Sequence, residues 1–248
     1  MSHAAPTFDT VTCEKVGRVF GRTRALQNFS FELRAGEVTA LVGTNGAGKS
    51  TLLAILSTLL SPSSGSVRYG ELSFREAGER ARGSIGLVSH AALVYPQLSA
   101  RENLDFFGKL HHVPERRAAI EAMLQKVGLI QAAWDRPAST YSRGMLQRLA
   151  LARALMTDPR LLLLDEPFTG LDREASERLI EIVRQAKAAG RIVLLVSHDL
   201  QVTAELADRT VILARGKLQH VVEEPVSGEQ LSELYRQHTA AVKARASA

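Results

Sequence analysis

The stretch Gly43-Thr44-Asn45-Gly46-Ala47-Gly48-Lys49-Ser50 constrains this chain more than any other part of its sequence. An apolar run of strand length, Val38–Val42, precedes it, and Thr51–Leu56 follows with the composition of a helix. Strand, glycine-rich loop and a helix opening on Lys-Ser form the context of a phosphate-binding loop. The glycines let backbone N–H groups turn inward around phosphate oxygens. The helix N-terminus adds unpaired N–H groups and the positive end of its dipole. These eight residues and Thr51 are therefore the candidate nucleotide-binding set. Lys49 is placed to reach the β- and γ-phosphates, and the Ser50 hydroxyl to ligate Mg²⁺.

With 248 residues, 45% hydrophobic and 23% charged, the chain is long enough to bury its own core. Its longest apolar runs, such as Leu161–Leu164 and Ile192–Val196, are far shorter than the roughly 18–20 residues that cross a bilayer. Met1–Asp9 lacks the basic start and apolar stretch of a leader, so none is expected. Cys13 is the sole cysteine, which excludes an internal disulfide framework or a cysteine-rich zinc site and suits a reducing cytosol. The net charge of +5 is scattered in small groups, Arg80/Arg82, Arg116/Arg117 and Lys243/Arg245. With aromatics at 5% there is no base-stacking platform, and no nucleic-acid partner is expected.

The pattern predicts strands at Val11–Val16, Phe29–Leu33 and Val38–Val42, then a helix from Lys49 to about Leu60 broken by Pro62-Ser63-Ser64-Gly65. Short strands follow at Val67–Gly70 and Ile85–Ser89. Ser99–Trp134 reads as helical: Ser99-Ala100-Arg101-Glu102 is a capping box, Pro114 suits the first turn of a second helix, and Gly128 its end. Helix and strand then alternate: helix Arg143–Thr157, strand Leu161–Asp165, helix Glu174–Ala189, strand Ile192–Val196, helix Leu200–Leu206. A hairpin, Thr210–Ala214 and Lys217–Val222, turns at Arg215-Gly216, and a helix runs from Ser227 to about Ala240. Met1–Pro6 and Ala244–Ala248 are expected to be loose. Strands apolar throughout and separated by helices imply a mostly parallel sheet covered on both faces. The fold class expected is an α/β phosphate-loop NTPase core, with an N-terminal antiparallel β subdomain and an inserted helical subdomain at about 91–157. The expected domain covers 8–225, followed by a C-terminal helix and tail, 226–248.

Leu161–Leu164 ends in Asp165-Glu166, which places two carboxylates at the strand's C-terminal edge, where α/β sheets bind ligands. Asp165 is a candidate Mg²⁺ ligand. Glu166 is a candidate catalytic base that orients or deprotonates the attacking water. Val196-Ser197-His198-Asp199 ends the next apolar strand, and His198 can approach the γ-phosphate from the same edge. His111-His112 has no further ligands at metal spacing and reads as a solvated helix end.

With these motifs in this order, residues from about 8 to 225 resemble the ATP-binding cassette ATPases, the nucleotide-binding subunits of ABC transporters. The resemblance implies ATP and Mg²⁺ as cofactors and catalytic roles for Glu166, His198 and Lys49. It also implies an adenine-stacking aromatic at Phe20, a dimer-interface loop at Thr169-Gly170-Leu171-Asp172 in which Asp172 crosses between copies, and a signature segment at Tyr141-Ser142-Arg143-Gly144-Met145. The usual signature is Leu-Ser-Gly-Gly-Gln. Ser142 and Gly144, the two positions retained, can bind the γ-phosphate on another copy, while Arg143 adds charge there or faces solvent.

A second departure stands at His90, where the family carries a glutamine that contacts Mg²⁺ and signals to the membrane subunits; Gln97, after Pro96, is out of register. An imidazole still ligates or accepts a hydrogen bond, so His90 is a further candidate Mg²⁺ ligand, but unlike an amide it changes charge near neutral pH. Together with Leu93–Leu104, this histidine resembles the ATPase subunit of the haem exporter of cytochrome c maturation. The implied protein is an ATP-hydrolysing exporter subunit, peripheral on the cytoplasmic face of the cell membrane. It works as a homodimer with separate integral membrane permease subunits, and His90–Leu110 is the candidate docking surface. Export of drugs, lipids or glycans is the alternative cargo reading. A non-transport cassette acting on nucleic acid is the alternative class, against which stand one cysteine, one cassette and no long heptads.

Overall fold

The computed structural model describes residues 7–244. Its first half runs β1 (Thr10–Phe20), β2 (Thr23–Arg34), β3 (Val38–Gly43), α1 (Lys49–Leu56), β4 (Ser64–Tyr69), β5 (Leu72–Ser73), α2 (Phe74–Arg80) and β6 (Ile85–Val88). The helices α3 (Ala100–Leu110), α4 (Arg116–Lys126) and α5 (Arg143–Leu155) follow. The chain then continues through β7 (Leu161–Asp165), α6 (Arg173–Ala188), β8 (Ile192–Val196), α7 (Leu200–Leu206), β9 (Arg209–Ala214), β10 (Lys217–Val222) and α8 (Gly228–Ala244).

Six strands form the central sheet in the order β10-β9-β3-β8-β7-β6. Its pairs are parallel except for the β9–β10 hairpin. Apart from Thr39 and the terminal Gly43 and Asp165, the central strands β3, β8 and β7 are apolar because both faces are covered. Leu162 and Leu164 of β7 and Val193 and Leu195 of β8 join Leu104, Leu124, Trp134 and Leu149 of the helical region on one side. Leu161, Leu163, Ile192 and Leu194 face the other way, onto Leu52 and Leu53 of α1 and Val11, Leu26 and Phe29 of the second sheet. That second sheet, β2-β1-β4-β5, is antiparallel, so the expected α/β core with an N-terminal antiparallel layer and a helical insertion is the architecture found. Because β3, β8 and β7 are adjacent and parallel, the loops leaving their C-terminal ends converge on one edge.

The differences from the sequence reading are local. The N-terminal strands are much longer than the apolar clusters suggest, since β1 and β2 pair over most of their length with bulges near Val16 and Arg18. Helix α1 stops at Leu56, not near Leu60: Thr58 turns left-handed and the N–H groups of Leu59 and Leu60 both return to Ala54 O. Pro114 precedes α4 rather than entering it, because the N-cap is Glu115. Helix α2 had no counterpart in the reading, although Ser73 and Glu76 form a reciprocal capping box there. Helix α5 ends at Leu155, and α8 continues to Ala244. Of the ends expected to be loose, only Ala244 lies within the described residues, as the last residue of α8.

Candidate nucleotide-binding site

The loop between β3 and α1 is wedged between neighbouring backbones. A Cβ on Gly43 would lie 2.2 Å from Leu213 O, and one on Gly48 would lie 2.4 Å from Ala25 O. Gly48 also has φ of 106°, which suits glycine alone. The tip of the β9–β10 hairpin clamps the loop from outside: Gly216 N–H donates to Ala47 O at 2.8 Å, and Gln27 N–H donates to Gly216 O at 2.7 Å. Lys49 Nζ donates to Gly43 O at 2.8 Å and to Thr44 O at 3.2 Å. Two of its three N–H bonds thus fix the ammonium on the loop. Burial lowers the Lys49 pKa, and the Glu166 and Asp165 carboxylates oppose that shift.

A cavity of 430 Å³ opens over the loop. Its lining runs from Asn45 to Thr51 and includes Asp165 and Glu166. The sequence reading missed Thr23, Arg24, Ala25, Gln27 and Arg215, which also line it. Arg215-Gly216 was legible as a turn, but nothing in chain order placed it against the phosphate loop.

Asp165 ends β7 nearly buried, at 7% exposure. Burial raises its pKa, a hydrogen bond from Ser50 opposes this, Glu166 adds to the rise, and Lys49 and His90 lower it. A buried carboxylate joined to a serine hydroxyl is an oxygen-donor pair that suits a hard divalent cation sharing its remaining positions with phosphate oxygens. Among the described residues, no three His, Cys, Asp or Glu side chains gather into a metal cage of their own.

Glu166 follows with φ of 50°, left-handed and unusual for a glutamate. Its N–H donates to Val196 O at 2.9 Å, which ties the turn to the end of β8. Its carboxylate then meets His198: Oε2 lies 2.6 Å from the ring Nδ1 and 3.3 Å from the His198 backbone N. The His198 ring is otherwise open to solvent. His90 is exposed just past β6, within electrostatic reach of Asp165.

The signature segment does not line this cavity. Ser142 is the N-cap of α5, its hydroxyl accepting from Met145 N–H at 3.3 Å. Arg143 lays its stem on Gly170, and Gly144 approaches Gly170 O. Asp172 is the N-cap of α6, accepting from Ala175 N–H at 2.8 Å, and it pairs with Arg148 of α5 at 3.2 Å. Gln147 donates to Pro167 O, so α5 is tied along one side to the loop that follows Glu166. Phe20 ends β1 half-exposed opposite Thr23, one step outside the cavity, with the Arg18 guanidinium 4.7 Å from its ring centre. His111 caps the end of α3 and His112 turns left-handed after it.

A larger open groove of 1190 Å³ lies between α3 and α4, but its arginines are already paired with carboxylates. Arg101 pairs with Glu121 and Asp135, and Arg116 with Asp105. It has no glycine loop, so the smaller cavity is the candidate site.

The fold and the loop together define a phosphate-loop ATPase cassette. The ABC transporter family profile matches residues 26–169, and the chain belongs to that family. It is 35% identical over 208 residues to the linearmycin resistance ATP-binding protein LnrL of Bacillus subtilis (strain 168), covering 83% of this chain and 66% of LnrL. It is 35% identical over 207 residues to the high-affinity branched-chain amino acid transport ATP-binding protein BraG of Pseudomonas aeruginosa, covering 83% of this chain and 89% of BraG. The chain therefore spans just under two thirds of LnrL's length and most of BraG's. Among solved structures, the dimeric ATP-binding cassette MJ0796 in a post-hydrolysis state with ADP and Pi superposes with a TM-score of 0.80 at 26% identity, covering 86% of this chain and 97% of that one. No helix among the described residues is long and apolar enough to cross a membrane.

Proposed function

We propose that this chain binds and hydrolyses ATP with Mg²⁺ as the motor subunit of an exporter, peripheral on the cytoplasmic face of the cell membrane beside separate permease subunits. The observation that carries this reading is the convergence of the phosphate loop, Asp165 and Glu166 on one cavity. The loop N–H groups and Lys49 hold the phosphates, and Ser50 and Asp165 hold the cation. When bound, Mg²⁺ neutralises phosphate charge. Glu166 accepts a proton from the attacking water, and His198, fixed by Glu166, turns its free ring nitrogen toward the γ-phosphate. Phe20 stacks on the adenine from the rim.

Ser142, Arg143, Gly144 and Met145 do not line this cavity, and, as the family resemblance implies, they serve a second copy's nucleotide. Two chains close head to tail, with Asp172 at their interface. ATP favours the closed pair because its γ-phosphate contacts are complete only there. Release of phosphate from ATP by the purified chain in the presence of Mg²⁺ tests the enzymatic reading, and absence of turnover would remove it.

For cargo, His90 and the segment after it support haem export for cytochrome c maturation. The resistance protein LnrL supports a second reading, export of an antibiotic or other drug. A gene-deletion strain separates them: loss of covalently haem-stained c-type cytochromes supports the first, and drug hypersensitivity with intact cytochromes supports the second.

A further inference from the structure

The β9–β10 turn holds a residue that the turn's geometry does not favour. Ala214 pairs with Lys217, so Arg215 and Gly216 are the two central residues of the hairpin. Both have positive φ, 50° and 74°. A two-residue turn of this hand takes Asn, Asp or Gly at its first central position, because other side chains are strained there. Arg215 occupies that position.

The surrounding backbone fixes the turn. A Cβ on Gly216 would lie 2.6 Å from Ala25 O, and one on Gly48 would lie 2.4 Å from the same oxygen. Hairpin tip, β2 and phosphate loop thus meet at one carbonyl. Gln27 holds the turn twice, from its N–H to Gly216 O at 2.7 Å and from Nε2 to Arg215 O at 3.1 Å. These bonds use only the backbone of Arg215, which is exposed and lines the nucleotide cavity. Arg24, the residue before Ala25, lines it too.

Neither guanidinium has an acceptor. The two carboxylates of the cavity are engaged elsewhere: Glu166 with His198, and Asp165 with Ser50. Among the described residues, the Arg24 and Arg215 side chains make no hydrogen bond, ion pair or ring contact. Arg101 and Arg116, in the groove between α3 and α4, are both paired. A guanidinium fork matches two oxygens of one phosphate at once. Two unpaired forks beside a phosphate loop are complementary to a chain of phosphates.

We propose that Arg24 and Arg215 bind the phosphate chain of the nucleotide from outside the phosphate loop, so that the cavity selects nucleoside polyphosphates by their charge. This rests on the nucleotide-binding reading and adds two binding residues and the basis of selectivity: the pair reads phosphates, not the base.

The test uses the full chain carrying Glu166→Gln, with Mg²⁺, as the reference. A fluorescent ATP analogue is bound, then displaced by ATP and, separately, by inorganic tripolyphosphate. Arg215→Asn is the direct variant, because asparagine suits the turn and the substitution removes the charge. Its melting temperature without nucleotide is expected to match or exceed the reference. Arg24→Gln is the second variant. Each is expected to weaken both ATP and tripolyphosphate by about tenfold or more, with the loss shrinking as salt is raised. ATP affinity within twofold of the reference in either variant would overturn the inference. So would a loss for ATP that tripolyphosphate does not share, since the contact would then lie on the nucleoside. Both results leave the nucleotide-binding reading standing, whereas a reference chain that binds neither probe would overturn both.

Discussion

The Nδ1 atom of His198 lies 2.6 Å from Glu166 Oε2, and the same oxygen accepts the His198 backbone N–H at 3.3 Å. An ionised Glu166 requires the ring proton on Nδ1, which leaves Nε2 free on the solvent side. The base of the proposed reaction thus also sets the tautomer and direction of the histidine beside it.

Glu166→Gln separates these two tasks. A glutamine oxygen still accepts the Nδ1–H but no longer takes a proton from water. Phosphate release is expected to fall about 10²–10⁴-fold, while titration with a fluorescent ATP analogue shows binding within a few-fold of the parent. Turnover near the parent rate would remove Glu166 as the base.

Gly48→Ala and Gly46→Ala form a pair. Both glycines have positive φ, but a Cβ at Gly48 meets Ala25 O at 2.4 Å, whereas at Gly46 nothing lies within 4 Å. Gly46→Ala is expected to cost only the backbone term, about 1–2 kcal/mol. Gly48→Ala must also push the loop off β2, so it is expected to lower the melting temperature further and abolish nucleotide binding. Equal effects in calorimetry and binding would show that the contact with Ala25 does not shape the loop.

Asp172 caps α6 and pairs with Arg148. Asp172→Asn keeps a good cap and loses only a partly exposed ion pair, so urea denaturation is expected to show a loss of at most about 1 kcal/mol. Asp172→Ala loses the cap as well and is expected to cost about 0.5–2 kcal/mol for that alone. A larger loss in the asparagine variant than in the alanine variant would contradict the capping role.

Arg209 is 8% exposed in its side chain and is held by Glu223 at 2.7 Å, Glu37 at 3.5 Å and the Phe31 ring face. The hydrogen bond from Arg209 is the main cause that lowers the Glu223 pKa. A lowered carboxylate pKa stabilises the fold above the unfolded value, about 4.3, and that stability is lost as pH falls through the folded value. Glu223→Gln is therefore expected to lower the melting temperature modestly at neutral pH, since Glu223 is 62% exposed. The gap from the parent should close as pH is taken from about 6 toward about 3. A gap that widens in acid would reverse the assignment.

Legibility followed the range of the forces involved. The strands β7 and β8 could be read because every position before the terminal Asp165 of β7 is apolar, as is all of β8, which suits a sheet covered on both faces. The phosphate loop could be read because its glycines answer to local backbone geometry. Helix α2 was missed because it is seven residues long with one buried side chain, and its capping box was the only signal. The clamp of Gln27 and Arg215 had no local signal at all, since 188 positions separate them in the chain.

The sequence by itself determined the α/β class, the loop at Gly43–Ser50 and the order of carboxylates and histidine at successive strand ends. Those depend on hydrophobic pattern and on residues whose chemistry acts within a few positions. Only the tertiary structure decided that Glu166 meets His198, that the Arg215–Gly216 turn closes over Ala47, that Ser142 lies outside the lining of its own chain's cavity, and that Arg153 lies buried without a carboxylate. Each of these follows from which strands lie side by side and which backbones approach within hydrogen-bond distance, and chain packing sets both.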